Sequence, residues 1–324
     1  MIPGAIKKIS GELSELRSIL REIPPMEVLE VIQNLWSRYT PSPSGKCVSG
    51  VDSGYNYLEM RGYIIYLVDG AYVNSCGGSD GDIKVGILAS EVDPESYLSY
   101  LSISIEAEMA KRAMDSSEIV AVDGSLISKL GFLIRRALYM MDDNSPDAVN
   151  RLVKALAELS TKDSHRFVFI SKNSVSRDLI RTYFPQSYKA FRTDFYYLSR
   201  YTIEPGYTKP LIIGGGEGIQ GALSIVEQAK KLSGASSLYI AVSYIRLKAG
   251  GPIMRIEIPL RSSENAEEVI RDVMEGIAGD DTGYPLVLKV ADKLARVSSR
   301  DMDRIKRILG LGSEEQAWEA AKAL

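Results

Sequence analysis

Two short motifs each place an aspartate at the end of a predicted buried strand, followed by small residues. They are Val51-Asp52-Ser53-Gly54 and Val122-Asp123-Gly124-Ser125. Carboxylate oxygens are the ligands that hard cations such as Mg²⁺ and Mn²⁺ prefer, and small residues let the backbone of a ligand come close. Hydrolysis of a phosphodiester with two bound metal ions needs several carboxylates at one point. Because adjacent strands would bring Asp52 and Asp123 to one sheet edge, the motifs predict part of such a site.

Taken singly, either motif is more typical of a turn or a helix cap, which is the commoner use of Asp-Gly and Asp-Ser pairs. A third pair of this kind, Asp69-Gly70, lies inside a predicted strand and is interpreted as structural. The presence of two motifs on separate buried strands favours the metal-site interpretation for Asp52 and Asp123.

The helix predicted before Asp123 carries two candidates for a third carboxylate. A helical projection places Glu106 with Ile103 and Met109 on the apolar face, whereas Glu108 falls among polar and charged side chains. A buried glutamate costs free energy unless a cation accompanies it. The periodicity therefore predicts Glu106 as the third metal ligand and leaves Glu108 as an exposed, lower-ranked candidate.

Basic residues near these carboxylates are candidates for contacts with phosphate. Lys172 follows the last predicted core strand, where it could hold a phosphate or a developing negative charge; an ordinary solvent-facing lysine is the alternative. Arg177, Arg181, Lys189 and Arg192 form a local basic group, for which DNA binding and a solvated surface are both open. The formal net charge of −3 gives no global electrostatic argument for nucleic acid.

The elements that must position these residues run in the order βββαβαβα. Strands are predicted at about 47–52, 62–73, 83–90, 118–123 and 166–171, and helices at 94–114, in a segment ending near 141, at 146–160 and from 175. Short Gly, Asn and Asp-rich links indicate an antiparallel meander for the first three strands, and parallel pairing of the others requires helical crossovers. The order predicts an α/β fold with an RNase H-like mixed sheet flanked by helices.

Further helices and a hairpin flank this core. Helices are predicted at 4–20 and 26–36, a β-hairpin at 238–247 and 253–260, and helices at 263–277, 286–296, 301–310 and 313–323. We expect a single domain over 1–324, made of an N-terminal helical extension (1–45), the RNase H-like core (46–190) and a C-terminal part (191–324) that completes the site and a dimer.

Composition sets broader limits. The chain is 45% hydrophobic and 25% charged, and it has no apolar run of the length that a membrane span needs. Its first residues lack the pattern of a secretory signal, so we expect a cytoplasmic protein with no membrane partner. Cys47 and Cys76 are too few for a disulfide framework and are not spaced as zinc ligands, so we expect two reduced, non-catalytic thiols in or near strands.

The order and spacing of several motifs resemble the NurA family of nucleases, found in archaea and some bacteria, over nearly the whole chain. These motifs are Gly50-Val-Asp52-Ser-Gly, the helix with Glu106 ahead of Val120-Ala-Val-Asp123-Gly-Ser-Leu, Phe169-Ile-Ser-Lys172, Arg192-Thr-Asp194 with Pro205-Gly206, Met254-Arg255-Ile-Glu257-Ile-Pro259, and Gly283-Tyr284-Pro285-Leu through Ala291. The resemblance implies an RNase H-like core, related in shape to Piwi domains, in a homodimer that encloses a channel for DNA.

The resemblance also implies an activity and partners. Family members degrade single-stranded and double-stranded DNA, typically as 5′–3′ exonucleases with single-strand endonuclease activity, and they use Mn²⁺ or Mg²⁺, for which we expect two ions per site. They work with the HerA hexameric ATPase in the end resection that precedes recombinational repair. By position, Asp52, Glu106 and Asp123 match the family's metal ligands, and Tyr284 matches its active-site tyrosine. Lys172 and Asp194 match motif positions whose roles are less defined.

One position departs from the family pattern. The family has a histidine eight residues after the tyrosine, and this chain has Asp292 there, since 292 − 284 = 8. An aspartate can bind Mn²⁺ or Mg²⁺ through oxygen, but it adds a negative charge and is no nitrogen ligand. Two hypotheses follow: a nuclease with Asp292 as fourth ligand, or a catalytically weak or inactive DNA-binding subunit that docks on the ATPase.

Overall fold

The computed structural model describes residues 26–139, 146–162, 164–183, 192–263, 265–279 and 281–311, with positions 9, 12, 13 and 17. Its strands are β1 (Trp36–Arg38), β2 (Val48–Met60), β3 (Tyr63–Asn74), β4 (Ser79–Ala89), β5 (Ile119–Asp123), β6 (Phe167–Ser171), β7 (Gly206–Thr208), β8 (Leu211–Ile213), β9 (Tyr239–Arg246) and β10 (Met254–Leu260). They form one mixed sheet in the order β1-β7-β9-β10-β6-β5-β2-β3-β4, with β8 also paired to β9.

The helices pack on both faces of this sheet. They are α1 (Met26–Leu35), α2 (Pro94–Ala113), α3 (Leu126–Tyr139), α4 (Pro146–Lys162), α5 (Asp178–Tyr183), α6 (Asp194–Tyr201), α7 (Gln220–Ser233), α8 (Ala266–Ile277), α9 (Leu286–Leu294) and α10 (Ser299–Ile308). The predicted helix at 313–323, and most of the one at 4–20, lie outside the described residues. Among the described helices, none has the length and apolar character to cross a bilayer.

The central strands are apolar on both sides because each face is covered. On β5, Val120 and Val122 pack into a core with α2, α3, α4 and α7. Ile119 and Ala121, which alternate with them, pack against α8 and α9 on the other face. This two-sided burial explains why β5 reads as a continuous apolar run.

The predicted βββαβαβα order is confirmed. Strands β2, β3 and β4 form an antiparallel meander, and β5 pairs parallel to both β2 and β6 through helical crossovers. Within the meander, a Cβ at Gly70 would lie 1.9 Å from the Ile105 side chain of α2. The structural interpretation of the Asp69-Gly70 pair therefore has a specific basis, because the glycine lets α2 approach the sheet.

The C-terminal part joins the same sheet. The predicted hairpin is present as β9 and β10, and β10 also pairs antiparallel with β6. The sequence prediction did not include β1, β7 and β8, whose three residues each are too few to show an alternation. It also did not include α6 and α7. The division of the chain at 45 and 190 stays a prediction.

The two cysteines form a disulfide, so the expectation of reduced thiols is wrong. Cys47 precedes β2 and Cys76 lies in the turn after β3, with their Cα atoms 5.3 Å apart. The antiparallel register pairs Ser49 with Asn74. Extending this register by two residues, to before Ser49 and beyond Asn74, places Cys47 opposite Cys76. The pairing follows from the strand register, which cysteine counting does not use.

Candidate active site

Asp52 lies inside β2, not at its end, because Ser53 and Gly54 continue the antiparallel ladder with β3. The expectation that the small residues end this strand is therefore wrong. What ends here is the parallel pairing of β2 with β5, whose last pair is Val51 with Val122. The next residue on each strand is an aspartate, so Asp52 and Asp123 lie side by side where β5 stops.

The glycines on either side of Asp52 make room for helix α9. A Cβ at Gly50 would lie 2.4 Å from the backbone carbon of Val287, and a Cβ at Gly54 would lie 2.4 Å from the carbonyl oxygen of Ala295. Residues 50, 52 and 54 share one face of β2. The glycines of the Gly-Val-Asp-Ser-Gly motif therefore let α9 pack closely against β2, across Asp52. The small residues were expected to admit the backbone of a ligand, but it is the protein's own helix that approaches closely here.

Ser53 points to the opposite face and meets α2. Its hydroxyl lies 2.5 Å from the Ser102 hydroxyl and donates to Oε1 of Glu106 at 2.8 Å. Glu106 is buried, at 7% exposure, whereas Glu108 is exposed and pairs with Arg112. The predicted difference in burial between the two glutamates is confirmed, and Glu108 does not join the cluster.

The loop after Asp123 is fixed by a buried carboxylate from β10. Glu257 accepts hydrogen bonds from the Ser125 hydroxyl at 2.5 Å and from the Ile127 backbone N–H at 2.9 Å. Its charge is balanced by Arg255, which also binds Asp178. Glu257 thus caps the start of α3 and holds the Asp123-Gly124-Ser125 turn against the sheet.

Two lysines contact the carboxylates. Lys129 of α3 pairs with Glu106 and donates to the backbone oxygen of Asp123 at 2.7 Å. Lys172 follows β6 and lies 3.5 Å from Asp123 and 3.9 Å from Asp292. The first lysine is nearly enclosed, with 13% of its side chain exposed, and the second is more accessible, at 38%.

Tyr284 and Asp292 reach the same point from the C-terminal part. The Tyr284 hydroxyl lies 3.4 Å from Oδ1 of Asp123, and the Lys172 ammonium lies 5.0 Å from the centre of the Tyr284 ring. Asp292 is carried by α9 and its side chain is 55% exposed. A cavity of about 430 Å³ is lined by residues that include Asp52, Asp123, Asp292 and Arg296.

Crowding of carboxylates changes the proton affinity of this site. Burial, together with the nearby charges of Asp123 and Glu106, raises the pKa of Asp52 to about 7. Burial and the same kind of repulsion from Asp123 and Asp52 raise the pKa of Tyr284 well above its usual range. Tyr284 is therefore a protonated hydrogen-bond donor at neutral pH.

Other predicted residues lie elsewhere. Asp194 is fully buried and accepts the backbone N–H groups of Leu179 and Ile180 at the start of α5 and the hydroxyl of Tyr244. Burial raises its pKa to about 6. These contacts make it a structural cap. Arg181 is exposed, Arg192 stacks 4.3 Å from the centre of the Tyr196 ring, and none of the predicted arginines, including Arg177, lines the cavity.

Sequence reasoning missed Lys129, Arg296 and Glu257. Lys129 and Arg296 carry no local signal because each reaches the site from a separate helix or loop. Glu257 is the exception, because it lies inside the apolar run Ile256-Glu257-Ile258. Both faces of this sheet are covered, so the glutamate is buried whichever face it points to, and a buried carboxylate needs a partner.

The donor set fits a hard divalent cation. Every candidate ligand is a carboxylate, as Mg²⁺ and Mn²⁺ prefer. The pKa of Asp52 is raised by burial and by the charges of Asp123 and Glu106, and a bound cation would offset both effects. Among the described residues, however, no three acidic, histidine or cysteine side chains already form a complete ligand set. Glu106 is paired with Lys129 and Asp123 with Lys172. The two carboxylates must therefore shift before both can bind the same metal ion.

The fold and the site together define an RNase H-like α/β protein with an acidic centre suited to a divalent metal. The NurA domain family model matches residues 47–297, and the chain belongs to this family. It is 25% identical to the DNA double-strand break repair nuclease NurA of Sulfurisphaera tokodaii, covering 95% of this chain and 94% of that protein.

Solved structures have the same fold. The NurA nuclease from Sulfolobus solfataricus superposes with a TM-score of 0.70 at 21% identity and covers 98% of both chains. A NurA crystal structure with bound dAMP and manganese superposes with a TM-score of 0.58 at 14% identity, covering 92% of this chain and 94% of that one. The expected family and RNase H-like fold are confirmed.

Proposed function

We propose that this protein is a divalent-metal-dependent deoxyribonuclease that processes the ends of DNA double-strand breaks. The observation that carries the proposal is that Asp52 and Asp123 lie side by side where β5 stops and line one cavity with Asp292. Glu106 lies on the α2 face of β2 and is linked to the Asp123 backbone through Lys129. Family membership supports it, as do the repair-nuclease name of the Sulfurisphaera tokodaii relative and the manganese and dAMP in a NurA structure.

In this proposal Asp52, Glu106 and Asp123 hold the cation, and Asp292 is the fourth ligand. A bound Mn²⁺ or Mg²⁺ supplies Lewis-acid stabilisation of the phosphate and activation of water. Tyr284, as a protonated donor beside Asp123, orients the phosphate or the attacking water. Lys172, which bridges Asp123 and Asp292 and is 38% exposed, neutralises charge on the phosphate.

DNA enters along the cavity face that carries Arg296. This guanidinium is exposed and forms no ion pair within the described part of the chain, so it is free to meet a backbone phosphate. Arg177, Arg181 and Arg192 extend the proposed DNA contacts beyond the cavity, along the surface near α5 and α6.

The number of ions follows from charge. With Asp52 ionised, Asp52, Glu106, Asp123 and Asp292 carry four negative charges. The lysines that contact these carboxylates, Lys129 and Lys172, supply two positive charges, and one divalent ion balances the remaining two negative charges. A second ion is then balanced by the phosphates of DNA. Counting bound Mn²⁺ with and without a non-hydrolysable oligonucleotide tests this: two ions in the absence of DNA would contradict it.

The remaining parts of the proposal rest on the family resemblance. We propose 5′–3′ exonuclease activity with single-strand endonuclease activity, a homodimer, a HerA-type hexameric ATPase as partner, and action in the cytoplasm. Light scattering tests the dimer, and co-purification with the ATPase tests the partner.

A DNA-binding subunit with weak or no activity is the second candidate. The observation that favours it is Asp292 in place of the family's histidine, because an exposed carboxylate paired with Lys172 supplies no nitrogen ligand. An Asp292→His variant separates the two hypotheses. A large gain of activity would favour the weak subunit, and a change of metal preference alone would favour the nuclease.

The decisive experiment incubates end-labelled single-stranded and double-stranded DNA with the protein and Mn²⁺ or Mg²⁺. Degradation should be lost in Asp52→Ala and Asp123→Ala and kept in Asp303→Ala, a matched control on exposed α10. Persistent degradation by both site variants would refute the site assignment. No degradation by the unsubstituted protein, alone or with its ATPase, would refute the nuclease.

A further inference from the structure

The ammonium group of Lys129 bridges two of the elements that carry the carboxylates. It is paired with Oε2 of Glu106 on α2 and donates to the backbone oxygen of Asp123 at the end of β5, at 2.7 Å. The side chains of Lys129 and Glu106 are 13% and 9% exposed. Breaking such an enclosed pair destabilises the fold, because removing one partner leaves the other charge buried without a counter-ion.

The surrounding residues are shaped around this lysine. A Cβ at Gly124 would lie 3.2 Å from Cε of Lys129 and 3.5 Å from its Nζ, and Gly124 has a φ of +92°. The glycine therefore permits both the turn after Asp123 and the path of the lysine side chain. Apolar side chains of Ile103, Val122 and Phe169 line the small cavity beside the ion pair. The ammonium thus depends on its two protein acceptors.

Both oxygens of Glu106 are already engaged. Oε1 accepts the Ser53 hydroxyl at 2.8 Å, and Oε2 faces Lys129. A cation that uses Glu106 must share this carboxylate with the ammonium or displace it. Lys172 differs, because it contacts Asp123 and Asp292 from the accessible side and can meet a phosphate.

We propose that Lys129 is a positioning residue that acts as the internal counter-ion of Glu106 and competes with the divalent metal for this carboxylate. The inference rests on the proposed metal-dependent function. Lys129 holds α2 and the end of β5 together before the metal binds. Its charge also weakens metal binding, because it repels the ion and must give up part of its contact with Glu106.

Lys129→Met tests this, since methionine keeps an unbranched side chain but removes the charge. Titration of the full chain with Mn²⁺ alone, with free Mn²⁺ followed by electron paramagnetic resonance, should show binding about tenfold tighter than in the unsubstituted protein. The metal-free variant should melt at a lower temperature, because Glu106 has lost its partner. The rise in melting temperature on adding Mn²⁺ should be larger. A purely structural lysine would lower the first melting temperature without tightening the binding of Mn²⁺.

Two further variants serve as controls. Lys154→Met removes an exposed lysine of α4 that lies 3.8 Å from Glu158, and it should change neither measurement. Lys129→Met combined with Glu106→Gln should recover the metal-free melting temperature, because no unpaired charge remains, yet bind Mn²⁺ more weakly than the unsubstituted protein. If Lys129→Met does not fold, Lys129→Gln keeps a hydrogen-bond donor without the charge, and tighter Mn²⁺ binding is expected there too.

If the unsubstituted protein binds Mn²⁺ and the folded Lys129→Met variant, or Lys129→Gln in its place, binds Mn²⁺ equally well or more weakly, the proposed competition between Lys129 and the metal is overturned. Absence of Mn²⁺ binding by the unsubstituted protein overturns the proposed metal-dependent function, and this inference with it.

Discussion

Replacing Asp52 with asparagine should make the metal-free protein more stable while it removes metal binding. The pKa of Asp52 is raised from 3.8 to about 7, first by burial and then by Asp123 and Glu106. In acid below both values, the carboxyl is protonated in the folded and the unfolded chain, so it contributes no difference. As the pH rises from about 4 to about 7, the unfolded chain releases this proton before the folded one does. Stability therefore falls over this range.

The size of the effect follows from the two pKa values. Each pKa unit corresponds to about 1.36 kcal/mol, so the increase from 3.8 to about 7 costs the folded protein about 4 kcal/mol above neutral pH. An asparagine does not ionise and has nearly the same shape. Allowing for its own desolvation, we expect Asp52→Asn to raise the free energy of unfolding by about 2 to 4 kcal/mol at alkaline pH and by nearly zero at about pH 4.

The assay is urea unfolding followed by circular dichroism, in a chelator, at several pH values. Asp303→Asn on exposed α10 is the matched control and should not change stability. With saturating Mn²⁺ the order should reverse, because only the unsubstituted protein gains binding energy. If Asp52→Asn were less stable than the unsubstituted protein at alkaline pH, or if the difference persisted at about pH 4, the raised pKa of Asp52 and its proposed cost to the folded protein would be refuted.

Three other substitutions test separate parts of the structure. Gly54→Ala should displace α9, because the added Cβ would lie 2.4 Å from the Ala295 oxygen. We expect the free energy of unfolding to fall by about 1–3 kcal/mol and nuclease activity to be reduced. Gly221→Ala, where the added Cβ meets nothing within 4 Å, should change neither stability nor activity, and equal effects of the two substitutions would refute the close packing of α9 on β2. Cys76→Ser should lower the free energy of unfolding by about 3–4 kcal/mol through loss of the disulfide, while activity below the melting temperature is kept. If the unsubstituted protein unfolded at the same urea concentration with and without reductant, the disulfide would not be stabilising. Arg296→Met should weaken binding of labelled DNA in fluorescence anisotropy and reduce the salt slope by about one, leaving Mn²⁺ binding unchanged; Arg300→Met is the control, and an unaltered slope would remove Arg296 from the DNA path.

Local patterns were enough to predict the fold class and to select several residues that lie together in the candidate site. The period of α2 separates buried Glu106 from exposed Glu108, because the two lie on different faces of one helix. The ends of apolar runs located Asp52 and Asp123. The RNase H-like order followed from three meander strands and two strands joined by helical crossovers.

The rest depends on contacts between distant segments. No local signal announces that α9 crosses β2, because the glycines that admit it also fit a turn. Lys129 is an ordinary helix lysine until α2 and β5 are placed beside it. Asp194 matched a family motif, yet its contacts with α5 and Tyr244 make it a structural cap. The cysteine pair was missed because disulfide pairing requires the register of β2 and β3.

The position of α9 also has a consequence for the timing of synthesis. Asp52 lies on β2, and the helix that lies across it is made of residues 286–294, far later in the sequence. A ribosome therefore exposes the acidic strand long before the covering helix has been made, and contacts of this sequence separation form late in folding. A nascent chain carries Asp52, Glu106 and Asp123 without Tyr284 and Asp292. In the nuclease proposed here, a growing chain would thus lack a complete site until residues 284–292 had been made.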